Sequence, residues 1–257
     1  MSRQGLQREL LGARLMVLQI EHRYQYPGNP CCYCLSGRLP TVHKHRSVNS
    51  PATRAVVSSV NPRAYPDATS LLRPICPEIP GHPLHVIQRG HLRAACFFGD
   101  ENCVAYLGWL GRYAASFGCS VHAYVLMGNH VHLLLTPSRA GGVAGLMRSL
   151  GERYARYVSE AHHRDSVLWE DRYEAVPVHV GRYLLSCMRY IELNPVRARV
   201  VAWPGQHRWS SFRANALGQD DALLTPHAFY CALGRSAESR QAAYRALFQH
   251  QPLTRLA

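Results

Sequence analysis

The chain has 257 residues, 47% of them hydrophobic, which is enough for one ordinary domain with extensions. Its formal net charge of +13 at pH 7 favours a phosphate-rich partner, above all nucleic acid. No run reaches the roughly 18 apolar residues of a membrane span, and the N-terminus lacks the apolar segment of a signal peptide. The nine cysteines form no regular framework. We therefore expect a cytoplasmic protein with reduced thiols rather than a membrane or secreted protein.

The N-terminal part of the chain differs from the rest in its hydrophobic pattern. It shows no sustained helical or strand periodicity, so we expect an irregular or disordered extension over residues 1–71. A few of its side chains could form a zinc knuckle, although their spacing fits none of the usual ligand pairs: Cys31, Cys32, Cys34, His43 and His45. The main folded domain is expected over residues 72–215.

The first half of this domain predicts a strand, a helix and two further strands. Residues 84–88 form the first strand, and Asp100 is the expected N-cap of a helix that Gly118 ends. Strands over residues 119–127 and 130–136 follow, joined by a two-residue turn of the kind that closes hairpins. The last two strands should therefore pair antiparallel.

The second half adds a helix, a strand and another helix. Apolar residues at helical spacing run from Val143 to Val158, and residues 173–178 read as a fourth strand. A third helix is predicted over residues 181–193, ended by Pro195. The order β-α-β-β-α-β is typical of an α+β, ferredoxin-like fold with an antiparallel sheet. We expect that sheet to be open on the face that carries the third strand's polar residues.

The chain ends in a further segment, residues 216–257, for which we expect a short helical C-terminal region. Its amphipathic pattern is weak and is concentrated in residues 227–249.

Two histidines on the third strand are the first candidate site. His130 and His132 point to the same side of the strand, because strand side chains alternate with period two. Two adjacent imidazoles make half of a metal site. The alternative is a half-exposed strand that carries two histidines by chance, in a chain that has 15 of them.

The third helix carries the second candidate site. Tyr190 and Asn194 are separated by one helical turn, so they lie on one face. Arg189, Arg197 and Arg199 flank the pair. Taken alone, such a pair is more often a packed aromatic residue and a helix cap than a catalytic pair.

Three stretches together resemble a known family. They are Gly-Asn-His-Val-His-Leu-Leu at 128–134, Leu-Trp-Glu-Asp-Arg-Tyr at 168–173 and Arg-Tyr-Ile-Glu-Leu-Asn-Pro-Val-Arg at 189–197. In this order they are similar to the motifs of REP-associated tyrosine transposases, which belong to the single-tyrosine HUH transposases. The resemblance runs from about Ile79 to Phe212, with Gly128 standing where such proteins commonly have proline.

The resemblance implies a metal-dependent single-strand DNA endonuclease and strand transferase. It implies that His130 and His132 bind Mg²⁺ or Mn²⁺, with Asn194 as a third ligand, and that Tyr190 is the nucleophile that forms a 5′-phosphotyrosine intermediate. The expected partner is single-stranded, hairpin-forming DNA such as a REP element, bound by a monomer or homodimer without a membrane. Candidate DNA contacts are Arg89, Arg189, Arg197 and Arg199.

Two other functions remain open at this point. A metal-dependent hydrolase of the HxHxDH type would need an acid and a third histidine where Leu134 and Leu135 stand, which argues against it. A catalytically inactive descendant that binds hairpin or single-stranded DNA would keep the same motifs. Sequence does not separate this second class from an active transposase.

Overall fold

The structure is a computed structural model that describes residues 78–163, 167–170, 172–178 and 182–248. The predicted N-terminal extension and its cysteine and histidine cluster lie outside the described residues. The domain limit placed near residue 72 therefore stays a prediction.

The centre of the fold is a four-stranded antiparallel sheet. Its strands are β1 (Leu84–Arg89), β2 (Cys119–Met127), β3 (His130–Pro137) and β4 (Glu174–Pro177). They lie in the order β2-β3-β1-β4, and every neighbouring pair is antiparallel. This is the strand order of a ferredoxin-like fold, so the predicted α+β architecture is confirmed.

Two long helices cover one face of the sheet. They are α1 (Asp100–Phe117) and α2 (Gly142–His162), which follow β1 and β3 in the chain. Side chains from both helices and from alternate positions of the strands form one buried cluster, whose largest members include Tyr106, Leu110, Leu133, Leu146, Leu150 and Tyr154. Burial of this cluster is the main hydrophobic contribution to the first layer of the domain.

The N-terminus of α1 differs from the prediction. Asp100 is the first residue of the helix, and Gly99 is the N-cap, which has no side chain to form a capping bond. The Asp100 carboxylate instead accepts hydrogen bonds from Arg208 at 2.9 Å and from the indole of Trp209 at 3.0 Å. The C-terminus agrees with the prediction, because Gly118 adopts the left-handed conformation with φ of 66°.

The opposite face of the sheet is also covered, contrary to the expectation of an open face. Helix α3 (Arg182–Glu192) packs there, and Leu184, Met188 and Ile191 join Leu134 of β3 in a second buried cluster. Short helices complete this layer: α4 (Asn194–Arg197), α5 (Phe212–Leu217), α6 (Ala228–Cys231) and α7 (Ala237–Ala246). The apolar stripe of α3 needs a buried partner, and the sheet supplies it.

The junction between α3 and α4 refines the predicted helix end. Helix α3 stops at Glu192, one residue before the predicted limit, and the chain turns helical again at Asn194. Pro195 occupies the first turn of α4, where its missing N–H and fixed φ cost nothing. Proline therefore follows the break rather than causing a complete stop.

A buried carboxylate connects α3 to the C-terminal helices. Glu192 is fully buried and accepts hydrogen bonds from Ser211 at 2.6 Å, Asn215 at 2.9 Å and Tyr244 at 2.8 Å. These donors come from the start of α5, from α5 itself and from α7, so one side chain ties three helices together. Burial raises the pKa of Glu192 to about 7, although the three hydrogen bonds act in the opposite direction.

None of the helices in the described ranges is both long enough and apolar enough to cross a membrane.

Candidate active site

The two histidines of β3 face the second layer of helices. His130 lies opposite Arg89 of β1 and Met127 of β2, and His132 lies opposite Ile87 and Val125. Their ring centroids are 5.0 Å apart, as expected for neighbours on one strand face. His132 is only 4% exposed, whereas His130 is half-buried at the rim of the layer.

A third histidine, His85 of β1, joins the pair and was not predicted. Its Nε2 lies 2.9 Å from Nδ1 of His132, which makes a buried hydrogen bond. The two rings stack with centroids 5.1 Å apart and an angle of 22° between their planes. The sequence placed His85 in a predicted strand, but it gave no sign that this residue contacts His132. That contact depends on the pairing register of β1 with β3.

The turn before β3 orients His130. Asn129 donates from its amide nitrogen to the carbonyl oxygen of Arg93 at 3.1 Å, so its amide oxygen is turned to the other side. That oxygen lies 2.7 Å from Nδ1 of His130 and accepts its hydrogen. The remaining ring nitrogen of His130, Nε2, is thereby left with its lone pair.

Helix α3 brings Tyr190 to the histidines. The Tyr190 ring lies edge-on to His85 and to His132, with a centroid distance of 6.0 Å in each case. The guanidinium carbon of Arg197 lies 4.9 Å from the centre of the Tyr190 ring. The predicted tyrosine, the predicted histidine pair and one predicted arginine therefore meet in one place.

Asn194 completes the group at the start of α4. Its side chain can accept a hydrogen bond from His130 when that imidazole is protonated, which acts to raise the pKa of the ring. The amide nitrogen of Asn194 is buried without a partner, so the amide oxygen is the atom turned to the imidazole. An amide oxygen beside a ring nitrogen whose lone pair is free is an arrangement that a cation could satisfy.

The histidines of the site are held neutral. Burial lowers the pKa of His85 to about 3 and that of His132 well below its usual value. Burial also lowers the pKa of His130; the hydrogen bond with Asn194 opposes this shift, and the positive charge of Arg89 adds to it. A neutral imidazole is the form that binds a metal ion.

The four arginines predicted to contact DNA lie in different environments. Arg89 forms an ion pair with Glu174 at 2.9 Å, while Arg197 and Arg199 are exposed just beyond the site. Arg189 is only 5% exposed, and its guanidinium lies 5.9 Å from the ring of Phe248. Arg189 therefore lies beneath the C-terminal layer in this structure, and its contact with DNA stays a prediction.

The donor set fits a divalent cation, although it is small. No group of three or more His, Cys, Asp or Glu arranged to hold a metal occurs within the described ranges. His130, His132 and Asn194 offer two neutral imidazoles and one amide oxygen. Nitrogen and oxygen donors of this kind suit Mn²⁺ and, by availability, Mg²⁺.

The architecture and the grouping of two strand histidines with a helix tyrosine agree with the resemblance to tyrosine transposases that the motifs indicated. Residues 80–194 match the family described as IS200-like transposases. This range contains every residue of the site described above except Arg197. The match to this family and the fold shared with a REP-associated tyrosine transposase confirm the predicted resemblance.

The fold is shared with a solved transposase structure. A REP-associated tyrosine transposase bound to a REP hairpin matches with a TM-score of 0.50 and 13% identity, over 61% of this chain and 93% of that chain. A candidate transposase of Deinococcus radiodurans R1 is 19% identical over 53% of this chain and 95% of that chain, with a TM-score of 0.32 that supports no argument by itself. None of the curated proteins matches the chain.

Proposed function

We propose that this protein is a metal-dependent single-strand DNA endonuclease and strand transferase, with Tyr190 as its nucleophile and hairpin-forming repeat DNA as its substrate. The observation that carries the proposal is the position of Tyr190, 6.0 Å by ring centroid from His132 and four residues before Asn194 in the chain. The transposase reported with a REP hairpin supports the choice of substrate, and the net charge of +13 agrees with it.

The reaction would begin at the Tyr190 hydroxyl. Its oxygen attacks a backbone phosphorus, and the bond from phosphorus to the 3′-oxygen breaks. The fragment on the 5′ side of the cut leaves with a 3′-hydroxyl, and the fragment on the 3′ side stays joined to Tyr190 through its 5′-phosphate. The tyrosine loses its hydroxyl proton, and the departing 3′-oxygen gains one, so the step balances without an external energy source. A free 3′-hydroxyl can later reverse the attack and join new strands.

Three groups would assist this chemistry. Tyrosine is a weak nucleophile near neutral pH, because its ordinary pKa is about 10. A divalent ion held by His130, His132 and Asn194 would polarise the phosphate and stabilise the departing oxygen. The Arg197 guanidinium, 4.9 Å from the centre of the Tyr190 ring, would neutralise phosphate charge during the attack.

The test is to trap the covalent intermediate. A hairpin oligonucleotide with a single-stranded flank is incubated with the protein and Mg²⁺ or Mn²⁺, and the adduct is detected by a mobility shift under denaturing conditions. We expect an adduct whose peptide map contains Tyr190, and we expect Tyr190→Phe to abolish it while hairpin binding is retained.

Tyr183→Phe is the matched control, because Tyr183 is an equally half-buried tyrosine on the same helix, two turns earlier. It should leave the adduct unchanged. An adduct that mapped to Tyr183, Tyr154 or Tyr157 would refute the assignment. Hairpin binding without any adduct would favour the catalytically inactive DNA-binding protein instead.

A further inference from the structure

The two candidate metal ligands on β3 share one feature of their hydrogen bonding. Nδ1 of His130 lies 2.7 Å from the amide oxygen of Asn129, and Nδ1 of His132 lies 2.9 Å from Nε2 of His85. In both rings the nitrogen nearer the backbone is engaged by a protein partner. The outer nitrogen, Nε2, is the one left for a ligand.

For His130 the direction of this hydrogen bond follows from the structure. Asn129 uses its amide nitrogen to donate to Arg93, so the atom that meets His130 is an oxygen and can only accept. A neutral His130 therefore carries its hydrogen on Nδ1 and a lone pair on Nε2. A ligand histidine needs this tautomer if it is to bind a cation through Nε2.

We propose that His85 is a positioning residue that accepts the Nδ1 hydrogen of His132 and so holds the Nε2 lone pair of His132 ready for a cation. The opposite direction, with His85 donating, would place the hydrogen of His132 on Nε2 and block that atom as a ligand. The inference rests on the proposed metal-binding role of His132. It gives His85 the function towards His132 that Asn129 has towards His130.

The surroundings of His85 suit this role. The residue is 0% exposed, so no water competes for the hydrogen bond, and its ring is stacked on that of His132. Its backbone is fixed by ladders on both sides, with β3 and with β4. An outer partner that orients a ligand histidine commonly contributes about 10- to 100-fold in metal affinity.

The first test measures the tautomer directly in the full-length, metal-free protein. Long-range proton–nitrogen correlation spectra of histidine-labelled protein distinguish a ring nitrogen that carries hydrogen from one that does not. We expect Nδ1 of His132 to carry hydrogen and Nε2 to be bare. Hydrogen on Nε2 of His132 in the wild-type protein would overturn the inference.

Two substitutions of His85 extend this test. His85→Leu removes the acceptor and should shift His132 towards the tautomer with hydrogen on Nε2, whereas His85→Gln retains an acceptor oxygen near the same place and should keep the wild-type tautomer. An unchanged His132 spectrum in His85→Leu would also overturn the inference.

The second test is the affinity for Mn²⁺, measured by calorimetry. His85→Leu should bind Mn²⁺ about 10- to 100-fold more weakly than wild type, and His85→Gln should recover most of the loss. His122→Gln is the matched control, since His122 is a buried histidine of the same sheet that donates to the carbonyl oxygen of Thr225 at 2.7 Å, away from the site. It should not change the affinity.

The two tests separate the inference from the proposed function. A wild-type protein that shows the expected tautomer but binds no Mn²⁺ would refute the metal-binding function and would still support the hydrogen bond from His132 to His85. Wild-type binding of Mn²⁺ with an equal affinity in His85→Leu would refute the role of His85 and leave the function intact.

Discussion

The carboxyl group of Glu192 should make the stability of this protein depend on pH in an unusual direction. Burial raises its folded-state pKa from 4.5 to about 7. Because the folded pKa lies above the unfolded one, the folded state holds the proton more tightly. The resulting stabilisation is fully present below pH 4.5 and is lost as the pH rises through about 7.

The magnitude follows from the difference between the two pKa values. At about 1.36 kcal/mol per pKa unit, the rise from 4.5 to about 7 corresponds to about 3 kcal/mol of unfolding free energy. This is a large fraction of the 5–15 kcal/mol that is typical of a folded domain. The lost stability should come from the junction of α3 with α5 and α7. There Ser211, Asn215 and Tyr244 donate hydrogen bonds to the Glu192 carboxyl group.

The assay compares wild type with Glu192→Gln by urea unfolding at a series of pH values from about 4.5 to about 8. Glutamine does not titrate, and it keeps one oxygen as an acceptor while its amide nitrogen can donate to the Tyr244 hydroxyl. The unfolding free energy of wild type minus that of Glu192→Gln should fall by about 3 kcal/mol across the series.

Other groups should cancel from this difference. Burial lowers the pKa of His85 to about 3, so it stabilises the fold in the opposite sense as the pH rises, but it does so equally in both proteins. Parallel curves for wild type and Glu192→Gln would refute the reasoning, because they would mean that the Glu192 carboxyl has the same pKa in the folded and the unfolded protein.

Further predictions concern the site and the DNA. His132→Ala should abolish adduct formation without unfolding the protein, and excess EDTA should do the same to wild type; cleavage that continued in either case would exclude a metal role. Hairpin DNA with a single-stranded flank should bind more tightly than random duplex, with an affinity that falls as salt rises, and equal binding to blunt duplex would contradict this. Tyr154→Phe should cost about 1 kcal/mol of stability, measured by urea unfolding, because it removes the hydrogen bond from its hydroxyl to the Cys96 carbonyl at 2.8 Å, yet it should leave the adduct intact. A shortened chain that starts at Arg73 should fold and bind the hairpin, and its failure to fold would show that the N-terminal segment is structural.

Local sequence patterns determined the order of strands and helices in the described region. The apolar runs of β2 and β3, the helical spacing in α1 and α2, and Gly118 as a helix end are short-range signals, because they depend on residues close together in the sequence. The same holds for His130 and His132, whose common face follows from strand geometry alone. The motif resemblance added Tyr190 and Asn194.

Tertiary structure alone decided which residues meet across the fold. The hydrogen bond between His85 and His132 depends on the register of β1 against β3, which no local pattern in either strand specifies. The burial of Arg189 and of the sheet's second face depends on where α3 and the C-terminal helices pack. Periodicity shows that a helix has an apolar side, but long-range packing decides which surface that side covers. For this reason the prediction that one face of the sheet is open was wrong.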